Sequence, residues 1–246
     1  MASRDFRTPR LFLDADLTAD REIALSREQA NYVRNVLRLP AGADVLVFNG
    51  RDGEWRGRLM DAGRRAVHLA IAEQTRGQTE AGSLHYAFAP LKHARIDYMV
   101  QKAVEMGAAR LTPVMTRHTQ VTRVNVDRMR ANAIEAAEQC GILSLPAIDE
   151  PIPFDNWLSA LDRDRVVVFC DEEAEIGDPV EALKRAPGGA PTLLIGPEGG
   201  FEESERRSLL GRERVVRLSL GPRILRADTA AVAALALVQA VLGDWR

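Results

Sequence analysis

Two glycine-containing loops in the last third of the chain hold the residues best suited to chemistry. The first glycine loop spans residues 196–202, with the sequence GPEGGFE, between an apolar stretch and a predicted helix. Its three glycines allow a ligand to approach the backbone closely. A phosphate would be repelled by the glutamates in and after this loop, so a neutral or positively charged ligand fits better. These glutamates are Glu198, Glu202, Glu203 and Glu205. The alternative interpretation is a plain tight turn before a capped helix.

The second glycine loop spans residues 221–226, with the sequence GPRILR. It also follows a predicted strand and precedes an apolar helix, which Asp228 or Thr229 is expected to cap. Neither loop has the spacing of a dinucleotide-binding or P-loop motif. Ligands of α/β proteins bind beyond the carboxyl ends of the strands, so we expect the two loops to form one pocket. Alternatively, Arg223 and Arg226 are solvated or pair with helix carboxylates.

The elements that would position these loops alternate between apolar strands and helices. Strands that are apolar throughout, such as residues 166–169, are typical of a parallel sheet covered on both faces. This alternation predicts an α/β domain with crossover connections. Strands are predicted at 85–90, 111–115, 166–170, 192–195 and 215–220, and helices at 96–106, 126–140, 202–210 and 229–242.

The N-terminal part of the chain has a different pattern, with short strands separated by turn formers. The strands are predicted at 11–13, 23–25, 45–48, 55–59 and 67–71, with one helix within 26–37 that begins at Ser26 as its N-cap. Several short strands in so few residues indicate a small β-barrel. The polar stretch from Glu73 to Ser83 is typical of a linker. We therefore predict a barrel domain at 1–73, a linker at 74–84 and an α/β domain at 85–246.

Composition excludes several classes of protein. With 246 residues, 46% of them hydrophobic, and a net charge of −2, the chain is not expected to be disordered. Its longest nearly apolar stretch, Ala230 to Leu242, is too short for a membrane span. The charged start of the chain lacks the apolar core of a signal peptide. Two cysteines make no disulfide framework or zinc site. We expect a cytoplasmic protein without a membrane or metal partner.

Charge is unevenly distributed along the chain. Of 33 basic residues only three are lysine, and arginine suits phosphate binding, although a GC-rich genome also explains the bias. Residues 143–214 hold 8 basic and 16 acidic side chains, whereas residues 85–142 hold 8 basic and 5 acidic ones. A nucleic acid should therefore avoid the exposed face of the acidic segment 143–214.

Six segments carry a resemblance to a known family. They are LLIGPEGGF, LSLGPRILRADTA, LKHARIDYMVQKAVEMGAARLTPV, AIEAAEQCG, PRLFL and YVRNVLRLPAG, and they span nearly the whole chain. Together they resemble the RsmE family, which makes N3-methyluridine in small-subunit (16S) ribosomal RNA. The resemblance implies a SPOUT-type α/β domain with a C-terminal trefoil knot, preceded by a PUA-like barrel. It also implies S-adenosylmethionine as methyl donor and a homodimer with its active site at the subunit interface.

The resemblance further implies the residues that hold the cofactor. A third wall should come from the loop after residues 166–170, near Asp171 and Glu172. Asp228 stands where the family commonly has Glu, and Ile142 where it commonly has Arg; the effect of either departure is open. The implied cofactor residues are Leu194, Gly196, Glu198, Gly200, Leu220, Gly221, Ile224, Leu225, Arg226, Thr229 and Ala230.

Methylation of uridine N3 makes its own demands. The base must be unpaired or extruded, and loss of its N3 proton places negative charge on O2 and O4, which a guanidinium would stabilise. Arg226 is the first candidate because it lies in the cofactor loop, and Arg10 is the second. Glu198 is a candidate general base or a residue that orients the backbone. Cys140 is expected to be buried, so the sequence offers no nucleophile.

RNA contacts are expected from cations outside the pocket. Arg34 and Arg38, four residues apart on the predicted N-terminal helix, should share one face. A second set surrounds the start of the helix at 96–106, where pairing with Asp97 or Glu105 is the alternative. The predicted RNA-binding residues are Arg10, Arg34, Arg38, Lys92, Arg95 and Lys102.

Three alternative functions differ in how well the sequence fits them. An RNA-binding protein without turnover would not need two intact glycine loops, and a nicotinamide-dependent enzyme should show a GxGxxG motif, which is absent. Methylation of another base or RNA is not excluded. The sequence leaves open which uridine is modified, whether free RNA or an assembled subunit is the substrate, and which group takes the proton.

Overall fold

The computed structural model describes residues 5, 7–61, 67–92, 94–175 and 177–245. The chain divides into two compact units. The first comprises Met1–Glu80 and Ala137–Ser144, and the second comprises Ala81–Ala136 and Leu145–Arg246.

The N-terminal unit is built on a five-stranded sheet with the order β1-β3-β4-β5-β2. Only the β1–β3 pair is parallel, and the other neighbours run antiparallel. Alternate residues of the strands, such as Val45, Val47 and Leu69, are fully buried in one apolar cluster. The strands are β1 (Arg10–Phe12), β2 (Glu22–Ala24), β3 (Asp44–Phe48), β4 (Glu54–Asp61) and β5 (Val67–Arg76). All five predicted strands are therefore present.

Strand β5 is longer than predicted and continues three residues into the segment predicted as linker. The cause is the buried carboxylate of Glu54. It accepts hydrogen bonds from Thr75 Oγ1 at 2.9 Å and Arg76 Nε at 3.0 Å, and so holds the end of β5 against β4. A polar composition alone could not distinguish this paired strand end from a linker.

The predicted N-terminal helix is present but changes its geometry. Helix α1 (Arg27–Asn31) begins with a capping box between Ser26 and Gln29, as expected for this N-cap. A π-helical turn at Tyr32–Val36 follows. The prediction that Arg34 and Arg38 share one helix face is wrong, because Arg38 lies beyond the π-helical turn with a left-handed φ of 53°.

The second unit is an α/β domain, as predicted. Its sheet has the order β12-β10-β11-β6-β7-β8, with β9 also paired to β7, and every pair is parallel. The strands are β6 (His85–Phe88), β7 (Arg110–Met115), β8 (Ala147–Ile148), β9 (Ile152–Pro153), β10 (Val166–Cys170), β11 (Pro191–Ile195) and β12 (Val215–Leu218). The helices are α2 (Ala94–Glu105), α3 (Val126–Cys140), α4 (Phe154–Ala160), α5 (Pro179–Lys184), α6 (Glu203–Leu210) and α7 (Ala227–Val241). The last four residues of α3 belong to the first unit.

The central strands and the last helix carry the core of this unit. Val167, Phe169 and Leu194 are fully buried, as expected for strands covered on both faces. Helix α7 buries a stripe of apolar residues and also Gln239, whose side-chain amide donates to the carbonyl oxygen of Met106 at 2.6 Å. Among the described residues, no helix combines the length and apolar character needed to cross a membrane.

Three local predictions differ from the structure. Helix α7 begins at Ala227 with Arg226 as its N-cap and no capping bond from a side chain, so neither Asp228 nor Thr229 caps it. Cys140 is only partly buried. The sequence analysis also missed the short helices α4 and α5, although Asp178 followed by Pro179 is a recognisable helix start.

Candidate functional site

The loops that follow five parallel strands all start at one edge of the sheet. This carboxyl edge is formed by the carboxyl ends of the strands. Because all neighbouring strands are parallel, the segments after β6, β7, β10, β11 and β12 start at this edge. They include both glycine loops, which follow β11 and β12, the two strands on either side of β10. Ligands of such sheets bind at this edge.

The first glycine loop is held by its own side chains. A Cβ on Gly196 would lie 2.8 Å from the ring of Phe201, so only glycine lets this ring fold over the loop. Phe201 packs in turn against Phe154 and Phe169, with ring centroids 6.2 and 6.0 Å apart. Packing within the protein therefore holds the shape of this loop.

The end of this loop is fixed by the start of helix α6. Glu202 and Glu205 form a capping box, in which the Glu202 N–H donates to Glu205 Oε2 at 3.0 Å. Buried Glu205 also accepts a hydrogen bond at 2.9 Å from the backbone N–H of Arg117, which follows β7. This carboxylate thus joins two loops of the carboxyl edge.

Two side chains from other segments, His118 from the loop after β7 and Arg95 from helix α2, contact the exposed part of the first glycine loop. His118 Nδ1 lies 3.0 Å from the carbonyl oxygen of Gly200 and 3.2 Å from that of Gly199. Arg95 forms an ion pair with Glu198, and its Nε lies 4.0 Å from a carboxylate oxygen of Asp228 in helix α7. Arg95 therefore lies between the first glycine loop and the start of α7.

A buried carboxylate joins the elements that carry both glycine loops. Asp171, directly after β10, accepts hydrogen bonds from Arg206 Nη2 of α6 at 3.2 Å and from Arg217 Nε of β12 at 2.7 Å. Burial raises the pKa of Asp171, but the hydrogen bonds from Arg206, Arg217 and the Glu173 N–H outweigh it and leave the pKa below its ordinary value. The Asp171 carboxylate is therefore charged at neutral pH, and its hydrogen bonds connect α6 to β12. The neighbouring Glu172 reaches the first loop, where a Cβ on Gly200 would lie 2.5 Å from Glu172 Oε1.

The second glycine loop is much more open. Ile224 is 94% exposed, and a Cβ on Gly221, whose φ is +94°, would have no atom within 4 Å among the described residues. The remaining residues of this region differ in burial. Arg223, Arg226 and Thr229 are exposed, Leu220 and Leu225 are half-buried, and Ala230 is buried.

A shallow pocket that is open to solvent lies beside the first glycine loop. Of the residues that line this pocket, Glu198 and Lys92 were predicted from the sequence. The lining residues from the loop after β7 were not, because that loop has no recognisable motif. The signal that could have identified this loop is the parallel sheet itself, since β7 ends at the same edge as β11. The pocket is lined by Pro90, Leu91, Lys92, His118, Gln120, Val121, Pro197, Glu198 and Gly199.

Several predicted site residues lie elsewhere. Arg10 is buried, and its guanidinium donates to Glu54 Oε2 at 3.0 Å, so its position argues against the predicted contact with RNA and against a catalytic role. Arg34 and Arg38 also belong to the N-terminal unit. Lys102 pairs with Glu105 at 2.6 Å and lies 5.6 Å from the ring of Tyr98, as the alternative interpretation expected. Asp97 pairs instead with Arg128.

Two buried groups are unsuited to act as nucleophiles. Burial raises the pKa of the Cys170 thiol to about 12, so this thiol stays protonated at neutral pH. The hydroxyl of Tyr86 is buried, without a hydrogen-bond partner in the described part of the chain, and its pKa is raised by that burial. Neither group supplies an anion for covalent chemistry.

Comparison with protein families gives two matches. A model described as an RNA methyltransferase domain matches residues 78–239. A model described as an RNA methyltransferase PUA domain matches residues 25–72. The first range includes most of the second unit, and the second range lies within the N-terminal unit.

Comparison with individual proteins gives similar results. A protein of Rickettsia conorii named ribosomal RNA small subunit methyltransferase E is 28% identical, with 94% of each chain covered. A methyltransferase of Legionella pneumophila, solved with the bound cofactor SAM, is 29% identical with a TM-score of 0.83, covering 97% of this chain and 99% of the other. A ribosomal RNA small subunit methyltransferase E of Neisseria gonorrhoeae, bound to S-adenosylmethionine, is 26% identical with a TM-score of 0.82, covering 98% and 100%.

Proposed function

Since this chain belongs to the RNA methyltransferase family, we propose that it transfers the methyl group of S-adenosylmethionine to N3 of a uridine in small-subunit ribosomal RNA. The resemblance to the RsmE family is confirmed by the relatives named ribosomal RNA small subunit methyltransferase E. The observation that carries the proposal is the pair of glycine loops at one edge of the sheet, in a chain that matches two SAM-bound structures over almost its full length.

The residues of the carboxyl edge fit a sulfonium cofactor. The first loop has glycines at 196, 199 and 200, and the carboxylates of Glu172, Glu198 and Asp228 lie in or near this loop. Such a site is favourable for a positively charged ligand and unfavourable for a phosphate. When bound, S-adenosylmethionine supplies an electrophilic methyl group. We assign its binding to Leu194, Gly196, Glu198, Gly200, Leu220, Gly221, Ile224, Leu225, Arg226, Thr229 and Ala230.

The target base must leave its stack before its N3 atom can reach this site. As the N3 proton leaves, negative charge spreads over O2 and O4 of the ring. We assign the stabilisation of this charge to Arg226, whose exposed guanidinium lies at the start of α7 beside the second glycine loop. Glu198 remains a candidate for proton transfer, but its ion pair with Arg95 favours an orienting role.

We assign RNA binding to cations of both units. The N-terminal unit, whose residues 25–72 match an RNA methyltransferase PUA domain, is proposed to be a PUA-like RNA-binding barrel. Arg34 and Arg38 are its candidate phosphate contacts, although they do not share a helix face. In the second unit the candidates are Lys92 and Arg95, which lie near the pocket.

The finer structural predictions are proposals as well. A barrel at 1–73, a linker at 74–84 and a methyltransferase domain at 85–246 remain our proposed division, with β5 extending to Arg76. The strand order β12-β10-β11, with α7 packed against β11 and α5, supports a C-terminal trefoil knot. The homodimer, the cytoplasmic location and the lack of a metal requirement stay predictions.

The test is to incubate the purified protein with methyl-labelled S-adenosylmethionine and small ribosomal subunits or free small-subunit RNA. Mass spectrometry of the digested RNA should then find the label in N3-methyluridine. Label in purines only, or in protein, would contradict the proposal. A comparison of the two substrates decides whether assembled particles or free RNA are modified.

A further inference from the structure

We propose that the pocket between the loops after β6, β7 and β11 receives the target uracil, and that Nε2 of His118 accepts its N3 proton. This inference rests on the proposed function, because it concerns the base that the enzyme methylates. It assigns a binding site to the pocket and a catalytic role to a residue that no motif identified.

The composition of the pocket fits a planar, uncharged base. Pro90 and Leu91 from the β6 side and Pro197 from the first glycine loop supply apolar walls. Lys92 and Gln120 supply hydrogen-bond donors, and both side chains are exposed at the rim. Uracil presents two carbonyl acceptors, O2 and O4, with the N3–H donor between them. The pocket is open to solvent, so an extruded base has access to it from outside.

The hydrogen bonds of His118 fix which of its nitrogens is the base. Nδ1 faces the carbonyl oxygens of Gly200 and Gly199 at 3.0 and 3.2 Å, and a carbonyl oxygen can only accept a hydrogen bond. Nδ1 must therefore carry the hydrogen, and in the neutral imidazole Nε2 then carries the lone pair. This arrangement presents an acceptor on a side chain that lines the pocket, with the ring orientation fixed by the loop that also forms the cofactor site.

The other ionisable groups near the pocket are less suited to take the proton. The carboxylate of Glu198 is engaged by Arg95. Glu205 accepts hydrogen bonds from two backbone N–H groups and is buried. Lys92 is a cation at neutral pH, so it is suited to stabilise the developing charge on a uracil oxygen rather than to remove a proton.

The proposed step balances as follows. The N3–H bond of uracil breaks, and its proton passes to Nε2 of His118, giving an imidazolium that keeps its Nδ1–H bond to the loop. The electron pair left on N3 forms the new bond to the methyl carbon. The electrons of the broken carbon–sulfur bond stay on sulfur, which leaves neutral S-adenosylhomocysteine. The imidazolium then loses its proton to water.

Two substitutions of His118 distinguish a general base from a residue that only holds the loop in place. His118→Ala removes both functions, whereas His118→Asn keeps an amide N–H that can donate to the Gly200 carbonyl but has no basic nitrogen. Thr122→Ala, an exposed change on the same loop, is the matched control. Each protein is assayed for kcat with small ribosomal subunits, for the Kd of S-adenosylmethionine, and for recovery of the rate with added imidazole.

We expect both His118 variants to lose about 100-fold or more in kcat and to regain part of the rate with imidazole. The Asn variant, which keeps the donor to the loop, should bind S-adenosylmethionine within about twofold of wild type, whereas the Ala variant should bind it more weakly. Thr122→Ala should behave as wild type. An Asn variant with the wild-type rate, a loss that imidazole does not restore, or a large rise in the cofactor Kd of the Asn variant would each overturn the inference. If wild-type protein itself fails to methylate RNA, the proposed function fails instead.

Discussion

The two glycine loops leave strands on either side of β10, yet the structure holds them very differently. The first is covered by Phe201, capped by Glu202 and Glu205, and contacted by His118 from the neighbouring loop. The second has no side-chain cap at its helix and exposes nearly all of Ile224. One loop is packed in advance, whereas the other is open along most of its length.

This difference indicates that the two loops would contribute differently to the proposed cofactor site. A packed loop binds a ligand without a further cost in conformational entropy, whereas an open loop must be ordered when the ligand binds. The exposed Ile224 and Arg226 would then be covered by the ligand, the RNA or a second subunit. Substitutions in the first loop should therefore affect stability and binding together, and those in the second should affect function alone.

The largest effect is expected for Arg226→Ala. Loss of the guanidinium removes the charge proposed to stabilise the uracil anion, so kcat should fall by about 100-fold or more. The melting temperature should stay close to that of wild type, because the side chain is exposed and forms no capping bond. Thermal unfolding and methyl-transfer kinetics check the two halves of this prediction. Full activity would remove Arg226 from the site, and marked destabilisation would show that the second loop is not independent of the fold.

The next largest effect is expected for Asp171→Asn, which weakens the tie between the two loops. It leaves the guanidinium groups of Arg206 and Arg217 beside a neutral group, which should cost about 2 kcal/mol of unfolding free energy. The cofactor Kd should rise while kcat at saturation changes little. Urea unfolding and calorimetry measure these quantities.

Asp149→Asn is the matched control for this substitution. Asp149 also pairs with an arginine, Arg110, at 2.8 Å, but Arg110 is the first residue of β7 and so lies at the opposite edge of the sheet. The Asp149→Asn variant should lower the free energy of unfolding without changing the cofactor Kd. Equal effects of the two variants on cofactor binding would refute the positioning role of Asp171.

A smaller contrast is expected between Gly196→Ala and Gly221→Ala. The first places a Cβ 2.8 Å from the packed ring of Phe201 and should lower the unfolding free energy by about 1–2 kcal/mol. The second strains a left-handed residue in open space, where the exposed loop can shift, and should cost about 1 kcal/mol. Both should weaken cofactor binding. The comparison between the loops fails if Gly221→Ala destabilises the fold more than Gly196→Ala does.

The smallest effect is expected for a residue at the opposite edge of the sheet. Burial and the neighbouring Arg165 and Arg110 lower the pKa of His85 from 6.5 to about 4, so the folded state disfavours its charged form. Between pH 6.5 and 4 the unfolded chain binds more protons, and stability should fall as the pH falls through that window. His85→Gln should reduce this dependence without changing the cofactor Kd at pH 7. An unchanged pH dependence of the melting temperature would contradict the prediction.

Much of the fold follows from patterns within single segments. The apolar runs of β10 and β11 and the periodicity of α3 predict their positions, since burial on both faces or on one face fixes which residues are apolar. The end of β5 was not predictable in this way. It depends on Glu54, which is about twenty residues away in the sequence and becomes a partner of Arg76 only after β4 and β5 pair.

The parts of the candidate site that have a recognisable sequence motif could be predicted. The parts that depend only on how the strands are arranged could not. The glycines of both loops mark their positions in the sequence because few other residues tolerate those backbone conformations or close contacts. His118 has no such mark, since its contact with Gly200 depends on the placement of β7 two strands away from β11. Arg10 was assigned to the RNA surface because its buried partner, Glu54, could not be identified from spacing.

The most direct test of the account is amide hydrogen exchange with and without saturating S-adenosylmethionine. If the two glycine loops bind the cofactor together, the amides of residues 221–226 should gain strong protection, whereas those of 196–202, already packed, should change less. Unchanged exchange in both loops at saturating cofactor would contradict the claim that they form its site.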